Sequence, residues 1–240
     1  DCSVEPTASC LIAPRQAGLQ IPSYNIGGWY DIFLGDTIAS YLAMRQSGAP
    51  AKLLIGPWSH SAQGRGVGQI DFGVAAQSGM IGLQTDLHSV ELRWFDHWLK
   101  GMDTGIMDEA PVKIFVMGAN VWRDEAEWPL ARALAVPFYL HSNGRLGLDI
   151  PEVEEPDAYT YDPADPAPTV GGATLLPPAF PSGPYDQRTV ESRPDVLVYT
   201  TGVLERDLEV TGPVQVHLWA ASSAPDTDFV VRLTDVFPDG

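Results

Sequence analysis

The chain has 240 residues, of which 45% are hydrophobic and 19% are charged, and its formal net charge is −17. This is the composition of a globular chain rather than a disordered one. Residues 1–110 carry 11 acidic and 6 basic side chains, whereas residues 111–240 carry 20 acidic and 8 basic ones. Because there is no basic stripe, the sequence argues against nucleic-acid binding, and anionic membrane surfaces would repel the chain.

Other classes are excluded by what the sequence lacks. It has no run of about 18 apolar residues, which a membrane-spanning helix needs. The opening segment DCSVEPTASC has neither the basic nor the apolar part of a signal peptide. Two cysteines, Cys2 and Cys10, could form a disulfide or stay reduced, so the compartment is left open.

The first elements alternate between strand and helix. Leu19–Ile26 is a short apolar run that ends at two glycines, and Lys52–Ile55 is a second run that ends at Gly56-Pro57. Between them, Asp36–Ser47 has apolar residues at helical spacing. This order predicts two parallel buried strands joined by a crossover helix.

The longest helical pattern follows a glycine-rich loop. Leu83–Lys100 places large apolar residues about one turn apart, and Gly101 follows as a C-terminal cap. We expect this helix to cover one face of the sheet.

The pattern changes at about Ala110. Short segments rich in Val, Phe and Tyr now alternate with Gly, Pro, Asn and Asp: VKIFVMG, VPFYLHS, LVYTT, VQVHLWAAS and FVVRLTDVF. Such a series predicts a β-sandwich or jelly roll. We therefore place a boundary near Met107–Pro111, with domains at 1–110 and 111–240. Glu152–Ser182 is predicted to be a long surface connection.

Two short segments point to chemistry. GGWYD ends at Asp31 and GPWSH ends at His60, each after a predicted strand. An acid and a histidine at the ends of successive strands are expected of the last two members of a Ser–Asp–His triad. The alternatives are that Asp31 only caps the following helix and that His60 is a loop residue without a role.

The third triad member is missing from the sequence. No G-x-S-x-G motif occurs, and the serines lack the strand–turn–helix context of a nucleophile. Ser59 is a poor candidate because neighbours on a loop usually point apart. Without HExxH, CxxC or EF-hand patterns, the sequence predicts no metal site and no cofactor.

The aromatic residues beside the two segments also have two interpretations. Trp29, Tyr30, Phe33 and Trp58 could line an acyl pocket or could simply pack the edge of the sheet. The residues alone leave this choice open.

At these segments the chain resembles the cocaine-esterase and X-Pro dipeptidyl-peptidase group of α/β hydrolases. The resemblance extends from Ile21 onward through many motifs in one order: NIGGWYDIFLGDT, LLIGPWSH, RWFDHWLKG, KIFVMGANVWRDEAEWPL, YDPADPAPTVGG, GPYDQR, RPDVLVYTT and LEVTGPVQVHLWAASS. It implies an α/β + β fold, in which the C-terminal part of an α/β-hydrolase domain is followed by a partial β-sandwich (jelly roll).

The resemblance also implies roles for individual residues. Asp31 matches the triad acid and His60 the triad base. Phe33 matches an aromatic residue of the substrate pocket, and Leu176 an apolar residue that reaches the pocket from the β domain. Pro177 departs from the pattern, because the group has an aromatic residue there.

The implied function is that of a serine hydrolase that cleaves a carboxylic ester or amide bond through an acyl-enzyme, with a small-molecule ester or a short peptide as its substrate. An X-Pro dipeptidyl-peptidase and an α-amino-acid ester hydrolase or β-lactam acylase remain alternatives. The group's nucleophile, oxyanion-hole tyrosine and helical lid have no counterpart here, so we expect an internal fragment that is inactive alone. The competing class is a non-catalytic jelly-roll binding module, and a pseudoenzyme is a third option. The oligomeric state stays open.

Overall fold

A computed structural model of the chain describes residues 18–175 and 178–239, and it divides into two compact units. The first unit contains 18–131 together with Thr160–Val196, and the second contains Arg132–Tyr159 together with the residues from Leu197 onward. Each unit is described separately below. No helix in the described part is long and apolar enough to cross a membrane.

The first unit begins with two parallel strands and a crossover helix, as predicted. Strand β1 spans Ser23–Tyr30, helix α1 spans Leu34–Gln46, and strand β2 spans Ala51–Ser59. The strands pair in parallel, from Ser23 opposite Ala51 onward. All nine residues of β2 are buried, as expected of a strand in a parallel sheet whose two faces are covered.

Strand β2 is longer than the sequence indicates. We expected Gly56-Pro57 to end it, but the strand continues to Ser59. The pairing with β1 shifts register between Gly28 and Tyr30, opposite this dipeptide. A strand can accommodate a proline at such an irregularity, because proline has no N–H to donate to the hydrogen bonds between the strands.

The sheet also extends past the predicted domain boundary. Strand β5, Val112–Val116, pairs in parallel with β2, and β6, Val121–Glu125, pairs antiparallel with β5. The four strands lie in the order β1-β2-β5-β6. Our assignment of VKIFVMG to a separate sandwich was therefore wrong, because its long-range partner is the buried strand β2. The division at residue 110 as a domain boundary stays a prediction.

Helix α2, Leu87–Lys100, begins later than the predicted Leu83. Asp86 is its N-cap, with the side chain accepting a hydrogen bond from the backbone N–H of Ser89, and Gly101 ends it in a left-handed conformation. The helix buries Leu87, Val90 and Trp94. Trp94 meets the ring of Tyr24 edge-on, at 5.4 Å between centroids, so α2 packs against the first strand.

The loop between β2 and α2 contains only short elements: β3 (Gly66–Val67), β4 (Ile70–Asp71) and two 3-10 turns, Val74–Ala76 and Ser78–Met80. Later in the chain, the segment around Pro184 packs on this loop. The N–H of Gln69 donates to Pro184 O at 2.9 Å, and the N–H of Asp186 donates to Gln69 Oε1 at 2.8 Å. A short helix, α3, follows at Arg188–Glu191.

The predicted surface connection, Glu152–Ser182, has neither a helix nor a strand within its described residues, and most of them are exposed. The larger, later part of this segment, from Thr160 onward, belongs to the first unit. The side chain of Arg193 helps to hold this part in the first unit. It donates to Asp165 O at 2.7 Å and to both carboxylate oxygens of Asp195.

The second unit is built around one hairpin. Strands β7, Tyr139–His141, and β8, Arg145–Gly147, pair antiparallel, in agreement with the predicted strand in VPFYLHS. Thr200 joins them through an isolated bridge to Arg145. In residues 201–239 the structure describes no strand. The segments VQVHLWAAS and FVVRLTDVF thus have the expected alternation without paired partners, and the jelly roll is not confirmed.

Candidate active site

Asp31 and His60 lie at the same edge of the sheet. Each residue directly follows a strand, β1 and β2 respectively, and the two strands run in parallel. In open α/β sheets, the carboxyl ends of the strands are where functional loops converge. The topology therefore places both predicted residues where a catalytic site of this fold is expected.

The register shift decides which residue faces Asp31. Gly28 lies opposite Gly56, but Tyr30 lies opposite Ser59, so β2 holds one more residue than β1 over this stretch. Had the register continued unbroken, Ser59 would lie opposite Asp31. The additional residue advances β2 by one position and brings His60 opposite Asp31.

Close backbone contact at Gly28 accompanies the shift. A Cβ atom on Gly28 would overlap the backbone carbonyl of Trp58, and one on Gly56 would overlap the Trp58 indole ring. Only glycine lets the strands approach this closely. The glycine immediately before the WYD sequence is thus required by the geometry that precedes Asp31.

The two side chains form a hydrogen-bonded pair. His60 Nδ1 lies 3.2 Å from Asp31 Oδ2. The side chain of Asp31 is 16% exposed and that of His60 is 45% exposed. An ionised carboxylate can only accept hydrogen bonds, so in the tautomer that satisfies this contact Nδ1–H donates to Asp31 and Nε2 is the lone-pair nitrogen.

The other carboxylate oxygen of Asp31, Oδ1, also accepts a hydrogen bond. The backbone N–H of Phe33 donates to Asp31 Oδ1 at 2.9 Å, and the N–H of Leu34 donates to the backbone oxygen of Asp31 at 3.1 Å. The carboxylate is therefore held between a backbone donor and an imidazole. The helix-cap alternative does not describe this arrangement, since Phe33 is the N-cap residue of α1.

Phe33 lies beside the pair. Its ring centroid is 5.2 Å from that of His60, in an edge-to-face arrangement with the planes at 68°. The role in substrate binding stays a prediction, although the position beside His60 is compatible with it. Leu176, the other predicted substrate-binding residue, and its neighbour Pro177 lie outside the described residues, as do Cys2 and Cys10.

Ser59 is unsuited to be the nucleophile. It is buried, and its Oγ accepts a hydrogen bond from the N–H of Ala62 at 3.1 Å. Its backbone N–H donates to Ala62 O, which closes a tight turn around His60. Ser59 thus shapes the loop that carries His60, and it is not positioned as the nucleophile.

Two tryptophans, Trp58 and Trp122, hold the loop that follows His60. Trp58 Nε1 donates to Ala76 O at 2.7 Å, and Trp122 Nε1 of β6 donates to Ala75 O at 2.6 Å. The rings lie 5.7 Å apart. Together they fix the 3-10 turn Val74–Ala76 in the loop that follows His60. Both tryptophans follow a predicted strand within a few residues, but their hydrogen-bond partners are 18 and 47 residues away.

Tyr30, the residue before Asp31, is a titratable neighbour of the pair. Burial raises the pKa of the Tyr30 hydroxyl, which keeps this neighbour of Asp31 neutral. Among the residues that the structure describes, no three His, Cys, Asp or Glu side chains cluster as metal ligands would.

Two family profiles match the chain. Residues 104–240 match the profile of the X-Pro dipeptidyl-peptidase C-terminal non-catalytic domain, and residues 9–62 match that of the X-Pro dipeptidyl-peptidase (S15 family). The second match includes both Asp31 and His60. The chain belongs to the cocaine-esterase and X-Pro dipeptidyl-peptidase group.

Individual members of the group agree with this. The chain is 42% identical to cocaine esterase of Rhodococcus sp. (strain MB1 Bresler), over 98% of this chain and 42% of the relative. An α-amino acid ester hydrolase structure matches with a TM-score of 0.63 and 29% identity, over 81% of this chain and 33% of that one. An aminopeptidase from a marine sediment archaeon (Thaumarchaeota) matches with a TM-score of 0.60 and 26% identity, over 76% and 31%. The chain thus spans less than half the length of these relatives.

Proposed function

We propose that the chain supplies the acid and the base of a serine hydrolase, Asp31 and His60, whose nucleophilic serine lies in a part of the full-length protein that this chain does not contain. The observation that carries the proposal is the 3.2 Å contact between His60 Nδ1 and Asp31 Oδ2 at the carboxyl ends of two adjacent parallel strands. Membership of a group of esterases and peptidases supports it.

The chemistry follows from which ring nitrogen is used. With Nδ1–H donated to Asp31, Nε2 of His60 is the lone-pair nitrogen that accepts the serine proton as Oγ attacks the substrate carbonyl. Asp31 stabilises the imidazolium, which then gives its proton to the leaving alcohol or amine. The acyl-enzyme is then hydrolysed: His60 accepts a proton from a water molecule that attacks the acyl carbonyl, and it returns the proton to the serine as the acid product leaves. The oxyanion donors would also come from outside the chain.

The substrate we propose is a small carboxylic ester. Support comes from the relative that is 42% identical, which is an esterase, compared with 26% for the aminopeptidase structure. Phe33, half exposed beside His60, would contact the acyl or aryl group, and Leu176 would contribute from the later segment. Cleavage of X-Pro dipeptides or of α-amino-acid esters is the alternative.

We infer that the part of the chain that follows strand β6 contributes a non-catalytic β-sandwich. The family match of residues 104–240 supports a non-catalytic role, and alternation in 214–218 and 229–233 supports strands. The competing function for the chain is that of a non-catalytic jelly-roll binding module with a carbohydrate or cell-surface ligand, and it would give Asp31 and His60 no catalytic role.

The test is hydrolysis of p-nitrophenyl esters by the full-length protein. His60→Ala is expected to lower kcat/KM by at least about 10³-fold, because loss of a triad base removes proton transfer in both steps. His88→Ala is the matched control, since its side chain is 94% exposed on α2. Ser59→Ala removes the acceptor for the Ala62 N–H but no nucleophile, so it is expected to retain activity well above that of His60→Ala. The proposal fails if His60→Ala hydrolyses the ester as fast as His88→Ala.

Two further arms separate the alternatives. X-Pro p-nitroanilides hydrolysed faster than p-nitrophenyl esters would favour the peptidase. The 240-residue chain alone is expected to hydrolyse esters no faster than its own His60→Ala variant, and turnover well above that variant would show that the nucleophile lies within this chain.

A further inference from the structure

Phe33 is held rigidly between β1 and α1. It is the residue before the first turn of α1, with φ −93° and ψ 7°. Its backbone oxygen accepts from both the N–H of Thr37, at 2.8 Å, and the Oγ1 hydroxyl of Thr37, at 2.9 Å. Two donors on one carbonyl fix the peptide, so the ring projects from a defined position although it is half exposed.

The same residue contacts both members of the pair through different atoms. Its N–H occupies Asp31 Oδ1, which leaves Oδ2 for His60. Its ring meets the imidazole edge-to-face at 5.2 Å. Phe33 therefore contacts the acid through its backbone N–H and the base through its ring.

We propose that Phe33 is a positioning residue for His60, in addition to any contact with substrate. The side chain of His60 is 45% exposed, so Asp31 alone would restrain one end of an otherwise mobile ring. The edge-to-face contact restrains the ring plane, so that Nδ1 stays on Asp31 while Nε2 stays available. The kinetic consequence rests on the proposed function, whereas the effect on the imidazole does not.

A positioning role and a substrate-lining role of Phe33 predict different experimental results. A residue that only lines the pocket changes KM and leaves the free imidazole as it is. A positioning residue lowers kcat, because fewer molecules hold Nε2 in the productive orientation, and it alters His60 when no substrate is present. The aromatic ring of Phe33 also matters, because an aliphatic side chain of similar bulk cannot make the same electrostatic contact with the imidazole.

The test begins with NMR of ¹⁵N-histidine in the 240-residue protein. In the wild type we expect the His60 Nδ1 proton to exchange slowly with water. In Phe33→Leu we expect exchange to be about tenfold faster, because the ring plane is released while Asp31 remains. Phe33→Tyr keeps an aromatic ring at this position and should therefore retain slow exchange of the His60 Nδ1 proton. Phe95→Leu, the same change on the exposed face of α2, is the matched control.

The second readout is kinetic and uses the full-length protein. Phe33→Leu should lower kcat about tenfold with KM changed less than about threefold, and the fall should persist across the pH profile. An unchanged Nδ1 exchange rate in Phe33→Leu would overturn the proposal, as would a change confined to KM. If the full-length wild type shows no hydrolysis, the proposed function fails while the NMR result still decides the role of Phe33.

Discussion

The sheet of the first unit and the C-terminal segment 201–239 of the second both contain short apolar runs, but the side chains of these runs lie in very different environments. Every residue of β2 is buried, and its neighbours β1 and β5 pair with it on both sides. In 201–239, alternating residues such as Val216, Leu218 and Val231 are exposed and no strand is described. Alternation indicates that a segment can form a strand, but a strand is made by its hydrogen-bonded partner.

Two tryptophans provide the strongest test of this contrast. Trp58 of β2 is 1% exposed and donates to Ala76 O, whereas Trp219 is 95% exposed. Trp58→Ala should lower the free energy of unfolding by about 3–5 kcal/mol, because it leaves a cavity and an unpaired carbonyl. Trp219→Ala should change it by less than about 0.5 kcal/mol. Urea denaturation measures both, and a large loss at Trp219 would show that the segment packs like the sheet.

Glycines test the same sheet at the point where it forms the site. Gly28→Ala places a Cβ against the Trp58 carbonyl and should destabilise the protein by about 1–3 kcal/mol. Gly35→Ala, in the first turn of α1 with open space around it, should stabilise by up to about 1 kcal/mol. Thermal unfolding compares the two variants. Equal effects would argue against the close approach of β1 and β2.

The hairpin of the second unit is expected to show the smallest effect, and it depends on pH. Glu154 accepts from the N–H of Ser142 at 2.6 Å and contacts His141 Nδ1 at 3.0 Å, and these donors lower the pKa of its carboxyl. A lowered folded-state pKa means that the stabilisation is fully present above the ordinary value, about 4.3, and is lost as pH falls through the folded value.

The amide chemical shift of Ser142 reports this titration. We expect its midpoint below the ordinary glutamate pKa, and we expect the titration to vanish in Glu154→Gln but not in Glu155→Gln. The melting temperatures of wild type and Glu154→Gln should converge as the pH is lowered toward 3. A midpoint at the ordinary value would mean that the hairpin contact is absent in solution.

Local patterns were sufficient to predict the elements that carry the site. Helical spacing in 36–47 between two apolar runs predicted the parallel pair, and the position of Asp31 and His60 after those runs predicted their meeting. The contact itself depends on the register shift opposite Pro57. A shift of one residue cannot be read from a strand's own sequence, because it reflects how Gly28 and Trp58 fit across two strands.

Long-range partners account for what the sequence did not reveal. Val112–Val116 has the composition of a sandwich strand, yet it extends the sheet of β2, because the choice between the two is made by a strand more than 50 residues earlier. The hydrogen bonds from Trp58 and Trp122 to the turn Val74–Ala76 are of the same kind. Periodicity reports which face of an element is apolar and leaves open which element covers it.

The central claim is that Asp31 holds His60 in the orientation of a triad base. It is tested most directly by the exchange rate of the His60 Nδ1 proton, measured by ¹⁵N-histidine NMR in the wild type, in Asp31→Ala and in Asp36→Ala, an acidic control in the first turn of α1. We predict slow exchange in the wild type and in Asp36→Ala, and exchange as fast as that of a free imidazole in Asp31→Ala. The same rate in all three proteins would contradict the account.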